Sequence, residues 1–389
     1  MKGFQLSHVS SGFVAVLVGY TSSAVIVMQA ATSAGASVEQ LGSWMWALGI
    51  GMGVTCIGLS LIYRVPILTA WSTPGAALLV TSLAGSSMSE AIGVFLFVSL
   101  LFTLVGLLGL TESLLRRIPK TLAAAMLAGV LLRFGIDVFL ALKAQWLLVG
   151  LMLAVWVLGR VLRPNLAVPL CLLMGLVYCF ATSQIASDRI ALQWASPVWM
   201  TPSFSPASLI GVGLPLFLVT MASQNIPGLA VLRANGYHTP ASPLITATGV
   251  TGLVLAPFGG FTFNLAAITA AICMSPEADP EPTRRYRAAV WAGIFYLLTG
   301  ILGLTVASIF AAFPAALIAA LAGIALIPTI GAGLVSALEE PADREAALIT
   351  FLCTASGLTL WGVSSAFWGL VLGLLTLALR KRLQRSSGA

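Results

Sequence analysis

Hydroxyl and carboxamide side chains break up two of the most apolar stretches of the chain. Tyr20, Thr21, Ser22 and Ser23 interrupt one; Ser223, Gln224 and Asn225, followed by Pro227 and Gly228, interrupt another. Such groups exchange hydrogen bonds without carrying charge. In an apolar medium their chemistry is the reversible holding of a polar or anionic molecule, not the making of bonds. Each group also has a structural reading, because Ser, Thr and Asn join helices to one another in membranes. That reading weighs more for Ser22 and Ser23 than for Gln224 and Asn225. Two adjacent carboxamides point in different directions, which is more than packing requires. Trp71, Phe261 and Phe263 either add an aromatic wall or pack as ordinary core.

The stretch that organises these residues is Arg64–Val80, RVPILTAWSTPGAALLV. Pro66 and Pro74 cut it, so it does not read as one continuous helix. Ile67–Trp71 is too short to cross a bilayer and is rich in residues suited to extended backbone. Ser72 or Thr73 then serves as N-cap and Pro74 as first helical residue, with Gly75 behind it. The prediction is an extended piece, a break, and a half-helix from Pro74 to about Leu83. Such a break at membrane depth leaves backbone N–H groups that must face protein or a water-filled cavity. The half-helix N-terminus also carries about half a positive charge, which suits an anion. The alternative is a proline kink with no ligand.

Other chemistries lack their residues. There is no Walker lysine motif and no HExxH, and the histidines are His8 and His238, both near span ends. Cys56, Cys171, Cys179, Cys273 and Cys353 all lie in apolar stretches without metal or redox spacing, and read as small core residues. These absences point away from an enzyme and imply no cofactor and no metal. Arg133 and Asp137 stand four apart within one apolar stretch, as helical neighbours do. Charges at membrane depth carry a functional hypothesis. The reading favoured here is a self-satisfied pair that locks its helix, with Asp137 kept as the candidate proton carrier.

Composition names the medium. The chain is 59% hydrophobic and 8% charged, with a mean hydropathy of +1.03. An all-α polytopic membrane protein is the class that fits. At about 20 residues per crossing the apolar stretches allow about fourteen spans. Span 1 is Ser11–Thr32, following a start at Lys2 that resembles a signal peptide but runs on too long. Span 3 is the broken stretch. Spans 5, 8, 10, 11 and 12 are Thr121–Leu142, Ser208–Leu232, Gly260–Cys273, Arg287–Ala312 and Pro314–Leu338. Residues 185–205 form a polar connection whose Trp194 and Trp199 suit an interface. The net charge of +7 bears on orientation, not on nucleic acid. With the N-terminus inside, the inner loops and tail take nearly all the Lys and Arg, and the outer loops only Lys143 and Arg189. Both termini are then cytoplasmic.

Three weak matches recur in the same order along the two halves. AMLAGV (125–130) matches AALAGI (319–324), WSTPGAA (71–77) matches FTFNLAA (261–267), and GYTSSA (19–24) can be set near MASQNI (221–226). Seven spans per repeat would insert the second half upside down. Span 10 is then the partner of span 3. It is short and introduced by Gly259–Gly260, with Phe261–Phe263 extended and Asn264 a possible N-cap before Leu265. Paired broken segments are the best sequence pointer to a transporter site. The candidate substrate-binding residues are therefore Tyr20, Thr21, Ser22, Ser72, Thr73, Pro74, Gly75, Ser223, Gln224, Asn225, Phe261, Phe263, Asn264 and Leu265.

The segments GFVAVLVGYTSSAVIVMQAA (12–31), RVPILTAWSTPGAALLVTSL (64–83), LAAAMLAGVLLRFGIDVF (122–139), LPLFLVTMASQNIPGLAVL (214–232), NLAAITAAICMSPEA (264–278) and TASGLTLWGVSSAFWGL (354–370) carry a resemblance to the BenE-type benzoate–proton symporters. It covers nearly the whole chain. The resemblance implies a fold similar to nucleobase, ascorbate and sulfate-type transporters, a seven-plus-seven inverted repeat. It implies a core domain of residues 1–118 and 206–312 and a gate domain of residues 119–205 and 313–389. It also implies a substrate held between the half-helices of spans 3 and 10. Two departures matter. Nucleobase permeases of this fold use carboxylates in spans 8 and 10, where this chain has Gln224, Asn225 and Asn264. Some benzoate-type members carry a histidine just before NLAAIT, and Gly259–Phe263 has none.

The expectation is a secondary importer of an aromatic carboxylate, benzoate or a close analogue, by proton symport in the bacterial inner membrane. Its partners are that carboxylate, protons and the lipid bilayer, and no nucleic acid; a homodimer is compatible with the plan. A permease for a nucleobase or another organic anion, and an anion channel or non-transporting scaffold, stay open. So do two coupling routes: Asp137 takes the proton, or proton and carboxylate enter together.

Overall fold

The computed structural model describes residues 5–111, 119–162, 167–186, 192–358, 360–361 and 365–387; for residues 22, 234, 310–311 and 381–387 it describes the backbone alone. Helices dominate. In chain order they are α1 (Leu6–Ser33), α2 (Val38–Tyr63), α3 (Thr73–Ser82), α4 (Met88–Leu107), α5 (Lys120–Ala144), α6 (Trp146–Leu162) and α7 (Ala167–Ala181). The second half holds α8 (Pro206–Arg233), α9 (Ala241–Leu255), α10 (Ile268–Met274), α11 (Tyr286–Ile301), α12 (Gly303–Ala311), α13 (Ala315–Leu338), α14 (Arg344–Ala355) and α15 (Ser365–Ser387). Two three-residue strands, β1 (Thr69–Trp71) and β2 (Phe263–Leu265), make an antiparallel pair. Six of the described helices are long and apolar enough to cross a membrane, or eight if each of two bent pairs is one span.

Local chemistry sets the boundaries. α2 and α4 open on reciprocal capping boxes, Ser37 with Gln40 and Ser87 with Glu90. Prolines stand at the starts of α5, α8, α9 and α13, where a missing N–H costs nothing. Within α8 the sequence predicts one span, Ser208–Leu232, with a polar interruption at Ser223–Asn225. Two π-turns, Leu209–Gly213 and Met221–Asn225, interrupt it, each with one residue more than the α-turn it replaces. The second turn carries Ser223, Gln224 and Asn225. The polar interruption of span 1 is a 43° bend between Leu6–Thr21 and Ser23–Ser33. Span 11, expected as one helix over Arg287–Ala312, instead bends by 72° between α11 and α12. Gly303 stands at that corner, where a Cβ would lie 2.8 Å from the Met45 Cβ, so its lack of a side chain lets α12 close onto α2.

Packing brings the two halves of the chain together. α5 lies along α13, α2 along α11, and α4 along α9. Glycines allow the close approaches, as where Gly49 of α2 meets Gly300 of α11 backbone to backbone. Residues 192–205 lie along this assembly. Ala195 N–H donates to Ile301 O, Met200 N–H to Pro257 O and Ser203 N–H to Ser89 O. Large apolar side chains such as Leu107, Val161, Leu162 and Phe180 lie on the outside, as a hydrocarbon solvent requires.

Candidate functional site

Both broken segments form, and they meet. β1 pairs with β2 in the register Thr69 with Leu265, Ala70 with Asn264 and Trp71 with Phe263. The pairing gives the interrupted backbone the partners that hydrocarbon cannot supply. α3 leaves the ribbon after Trp71 and α10 after Leu265, from opposite ends. Ser72 is the N-cap of α3, its Oγ accepting from Gly75 N–H at 3.0 Å; the helix begins at Thr73, one residue before the predicted start, with Pro74 in its first turn. Proline has no N–H, and the Ala76 amide donates to Ser72 O. Thr73 N–H is left without an acceptor among the described residues, on a half-buried residue. A Cβ on Gly75 would meet Leu216 Cδ1 at 2.7 Å, so glycine seats α3 against α8.

Asn264 is not the N-cap of the second half-helix. Strand pairing holds the backbone extended through Leu265, and the helix begins at Ile268 with Ala267 as N-cap. Asn264 is fully buried; its Nδ2 donates to Leu265 O at 3.1 Å, and its Oδ1 has no partner among the described residues.

The polar residues of α1 and α8 separate into different jobs. Thr21 is bonded back to its own helix at Leu17 O, 2.8 Å away, and Ser223 to Val219 O at 2.6 Å. Ser22 lies outside the described side chains. Ser23 Oγ accepts from the Trp71 indole N–H at 2.8 Å and ties β1 to α1. Tyr20 stands edge-on to Trp71 with ring centroids 4.9 Å apart, and its buried hydroxyl has no partner among the described residues. Asn225, fully buried, accepts from Leu265 N–H at 2.9 Å and thereby pins β2 to α8. Gln224 beside it is half-buried and makes no hydrogen bond among the described residues. Leu265 is buried against Gly228, where a Cβ would lie 2.6 Å from the Leu265 Cβ.

The aromatic wall is smaller than expected. Phe261 packs in the core against Trp44 and Phe95, at 6.0 and 5.9 Å between centroids, because Gly259 at φ +93° turns the chain toward Trp44. Phe263 lies against Gly51 of α2, where a Cβ would be 2.3 Å from its ring. Trp71 keeps Tyr20 as its aromatic neighbour, and Tyr296 of α11 lies 6.2 Å beyond Tyr20. Two members went unread in the sequence. Thr220 donates to Ser72 Oγ at 2.9 Å, and its only signal is a hydroxyl at the end of LPLFLVT. Tyr296 is one aromatic among several in WAGIFYLL.

Arg133 and Asp137 do not satisfy each other. Neither makes an ion pair or a hydrogen bond among the described residues, and both line a cavity of about 590 Å³ with Gln29, Thr32 and Thr81. Opposite charges one helical turn apart need side chains that lean toward each other, and here both face the cavity.

A ribbon of two broken segments, capped by Ser72 and braced by Ser23, Thr220 and Asn225, is a built centre within an apolar protein. The family model described as benzoate membrane transport protein matches residues 2–379.

The chain belongs to that family.

The BenE family is one of membrane transporters and not of enzymes. A relative from Acinetobacter baylyi, the benzoate membrane transport protein, is 39% identical over 374 residues, covering 96% of this chain and 95% of that protein. The inner membrane protein YdcO of Escherichia coli is 52% identical over 363 residues, 93% of each. The structure resembles the transmembrane domain of the cyanobacterial bicarbonate transporter BicA, with a TM-score of 0.58 and 14% identity over 96% of each chain. It also resembles SLC26A9, with a TM-score of 0.62 and 13% identity, covering 97% of this chain and 65% of that one. These two likenesses concern the fold alone.

Proposed function

We propose that this BenE family member imports an aromatic carboxylate, benzoate or a close analogue, together with a proton, across a bacterial inner membrane by alternating access. The observation that carries the reading is the ribbon itself: two interrupted segments joined inside the protein, with hydrogen-bond donors around them and no carboxylate among the site residues. A buried carboxylate costs several kcal/mol unless it is paired. Hydrogen bonds to a charged group return about 1.5–3 kcal/mol each, and the N-terminus of α3 adds about 0.3–2 kcal/mol. Thr73 N–H, the Tyr20 hydroxyl and the Gln224 carboxamide are the donors in reach of this role.

One unsatisfied group supports entry of the proton with the substrate. Asn264 Oδ1, buried at the ribbon, can only accept. A carboxylic acid offers a donor to it; a carboxylate offers acceptors alone.

The finer architecture belongs to the same reading: fourteen spans in a seven-plus-seven inverted repeat, both termini cytoplasmic, and a core domain of spans 1–4 and 8–11 moving against a gate of spans 5–7 and 12–14. Packing supports it reciprocally. An exchange of halves turns the α2–α11 pair into the α9–α4 pair, and leaves the α5–α13 and β1–β2 pairs unchanged. Purified protein in liposomes tests the function. An imposed inward proton gradient is expected to drive labelled benzoate above equilibrium, and uracil not. Equilibration without accumulation would make the protein a channel, and accumulation of uracil would move the substrate class.

A further inference from the structure

We propose that the cavity at Arg133 is a second carboxylate-binding site, distinct from the ribbon site and on the path to it. The inference rests on the proposed carboxylate substrate and adds a place where that substrate is held before it reaches Trp71.

The position of Arg133 needs an explanation. By helical rise it lies roughly 20 Å along α5 from Lys120, well inside a hydrocarbon layer of about 30 Å. An arginine at that depth is costly unless it pairs or faces water. Arg133 has no ion pair among the described residues, and its side chain is exposed to the cavity. That space, about 590 Å³, is ample for a one-ring acid.

The cavity also lies in the right place. Its walls are the last turns of α1 (Val25 to Ser33), the far end of α3 (Val80 and Thr81) with Ala84 just beyond it, and α5, with Leu41, Ala307 and Ile318 closing the side. Tyr20 and Ser72, at the ribbon, stand on the same two helices, α1 and α3. From Tyr20 to Gln29 is about 13 Å along α1. In the orientation proposed above this is the extracellular side. A guanidinium presents a planar fork of donors that matches a carboxylate in two hydrogen bonds. Phe134 and Val25 offer apolar wall for a ring, and Gln29, Thr32 and Thr81 offer further hydrogen bonds.

Asp137 sets the strength of the site. It and Arg133 are the charged side chains that line the cavity. An anion on Arg133 sits one helical turn from a like charge, which keeps binding weak enough for the anion to leave. The arrangement suits a staging post rather than a trap.

Arg133 can be read directly. The full-length protein in nanodiscs is treated with phenylglyoxal, which modifies accessible guanidinium groups, and the peptide holding Arg133 is followed by mass spectrometry. Benzoate at saturation is expected to slow that modification at least about fivefold. It is expected to do the same in Gln224→Asp, where the ribbon site repels the anion. Asp137→Asn should lower the benzoate needed for protection; a rise would overturn the assignment. Uptake gives the second measurement. Arg133→Gln, shown folded by gel filtration, should raise the KM about tenfold, in line with the loss of one charge-assisted interaction, and Arg133→Lys should restore part of it. The proposal falls if Arg133 is inert to the reagent, or reacts equally fast with and without benzoate. Unprotected Arg133 with normal accumulation removes the cavity site alone. Protected Arg133 without accumulation keeps the cavity site and removes the symporter reading.

Discussion

Replacing Asn225 and Gln224 by alanine, one at a time, separates holding the ribbon from holding the substrate. The two carboxamides are neighbours, yet Asn225 is fully buried and accepts from Leu265 N–H, while Gln224 is half-buried and bonded to nothing described. Asn225→Ala leaves a buried amide without an acceptor, which costs about 1–3 kcal/mol. For a chain of this length the unfolding entropy converts each kcal/mol into about 1 °C, so the Tm should fall by about 1–3 °C. Gln224→Ala removes no internal bond and should stay within about 0.5 kcal/mol of the parent, or well under 1 °C. Its effect should be on binding. One hydrogen bond to a charged group is worth about 1.5–3 kcal/mol, which raises the Kd for benzoate by about ten- to hundredfold. Thermal unfolding in one detergent and equilibrium binding of labelled benzoate give the two readings. A destabilised Gln224→Ala of normal affinity, or an Asn225→Ala of normal Tm and weakened binding, would refute this division of roles.

Three further outcomes follow from the same geometry. Gln224→Asp places a negative charge where the anion is proposed to bind, and should abolish benzoate uptake at neutral pH while the protein still purifies as a folded species. Asp137→Asn should keep proton-driven accumulation; if it still exchanges benzoate but no longer concentrates it on a pH gradient, Asp137 carries the proton. At the start of α1, His8 Nε2 and Asp279 Oδ2 lie 2.7 Å apart, both buried. Burial works against ionisation of Asp279, but the Glu281 amide, the His8 ring and Arg284 outweigh it and hold the carboxyl below the usual range. A depressed carboxyl stabilises the fold above its unfolded value of about 3.9 and loses that contribution as pH falls below it. Thermal unfolding followed from pH 6 to pH 3 should show a fall in this acid window that is smaller in Asp279→Asn.

The break in the first half was legible because proline and capping chemistry are local. Pro66, Ser72 and Pro74 place the extended piece and the start of α3 with no knowledge of the rest of the chain. The second break was legible in existence and wrong in register. Where β2 ends depends on its pairing with β1, a long-range fact, and Asn264 looks like an N-cap to any local rule. The roles within SQN were beyond the sequence for a similar reason. Which carboxamide faces the ribbon depends on the π-turn at Met221–Asn225, and no residue type announces an extra residue in a turn. The sequence places Arg133 and Asp137 one turn apart, but a neighbour at that spacing is a partner only if nothing else draws the side chains away.

The ribbon also imposes an order in time. β1 and β2 are each other's partners, and Trp71 waits for Phe263. Synthesis at about 5–20 residues per second spends about 10–40 s on the roughly 190 residues between them. Throughout that interval the backbone groups of Thr69–Trp71 have no strand to bond, and lipid offers none. The nascent third segment must therefore stay within reach of water, at the insertion machinery or at the membrane surface, until most of the second half has been made. A chain stopped after the first half would carry a permanently unpaired strand.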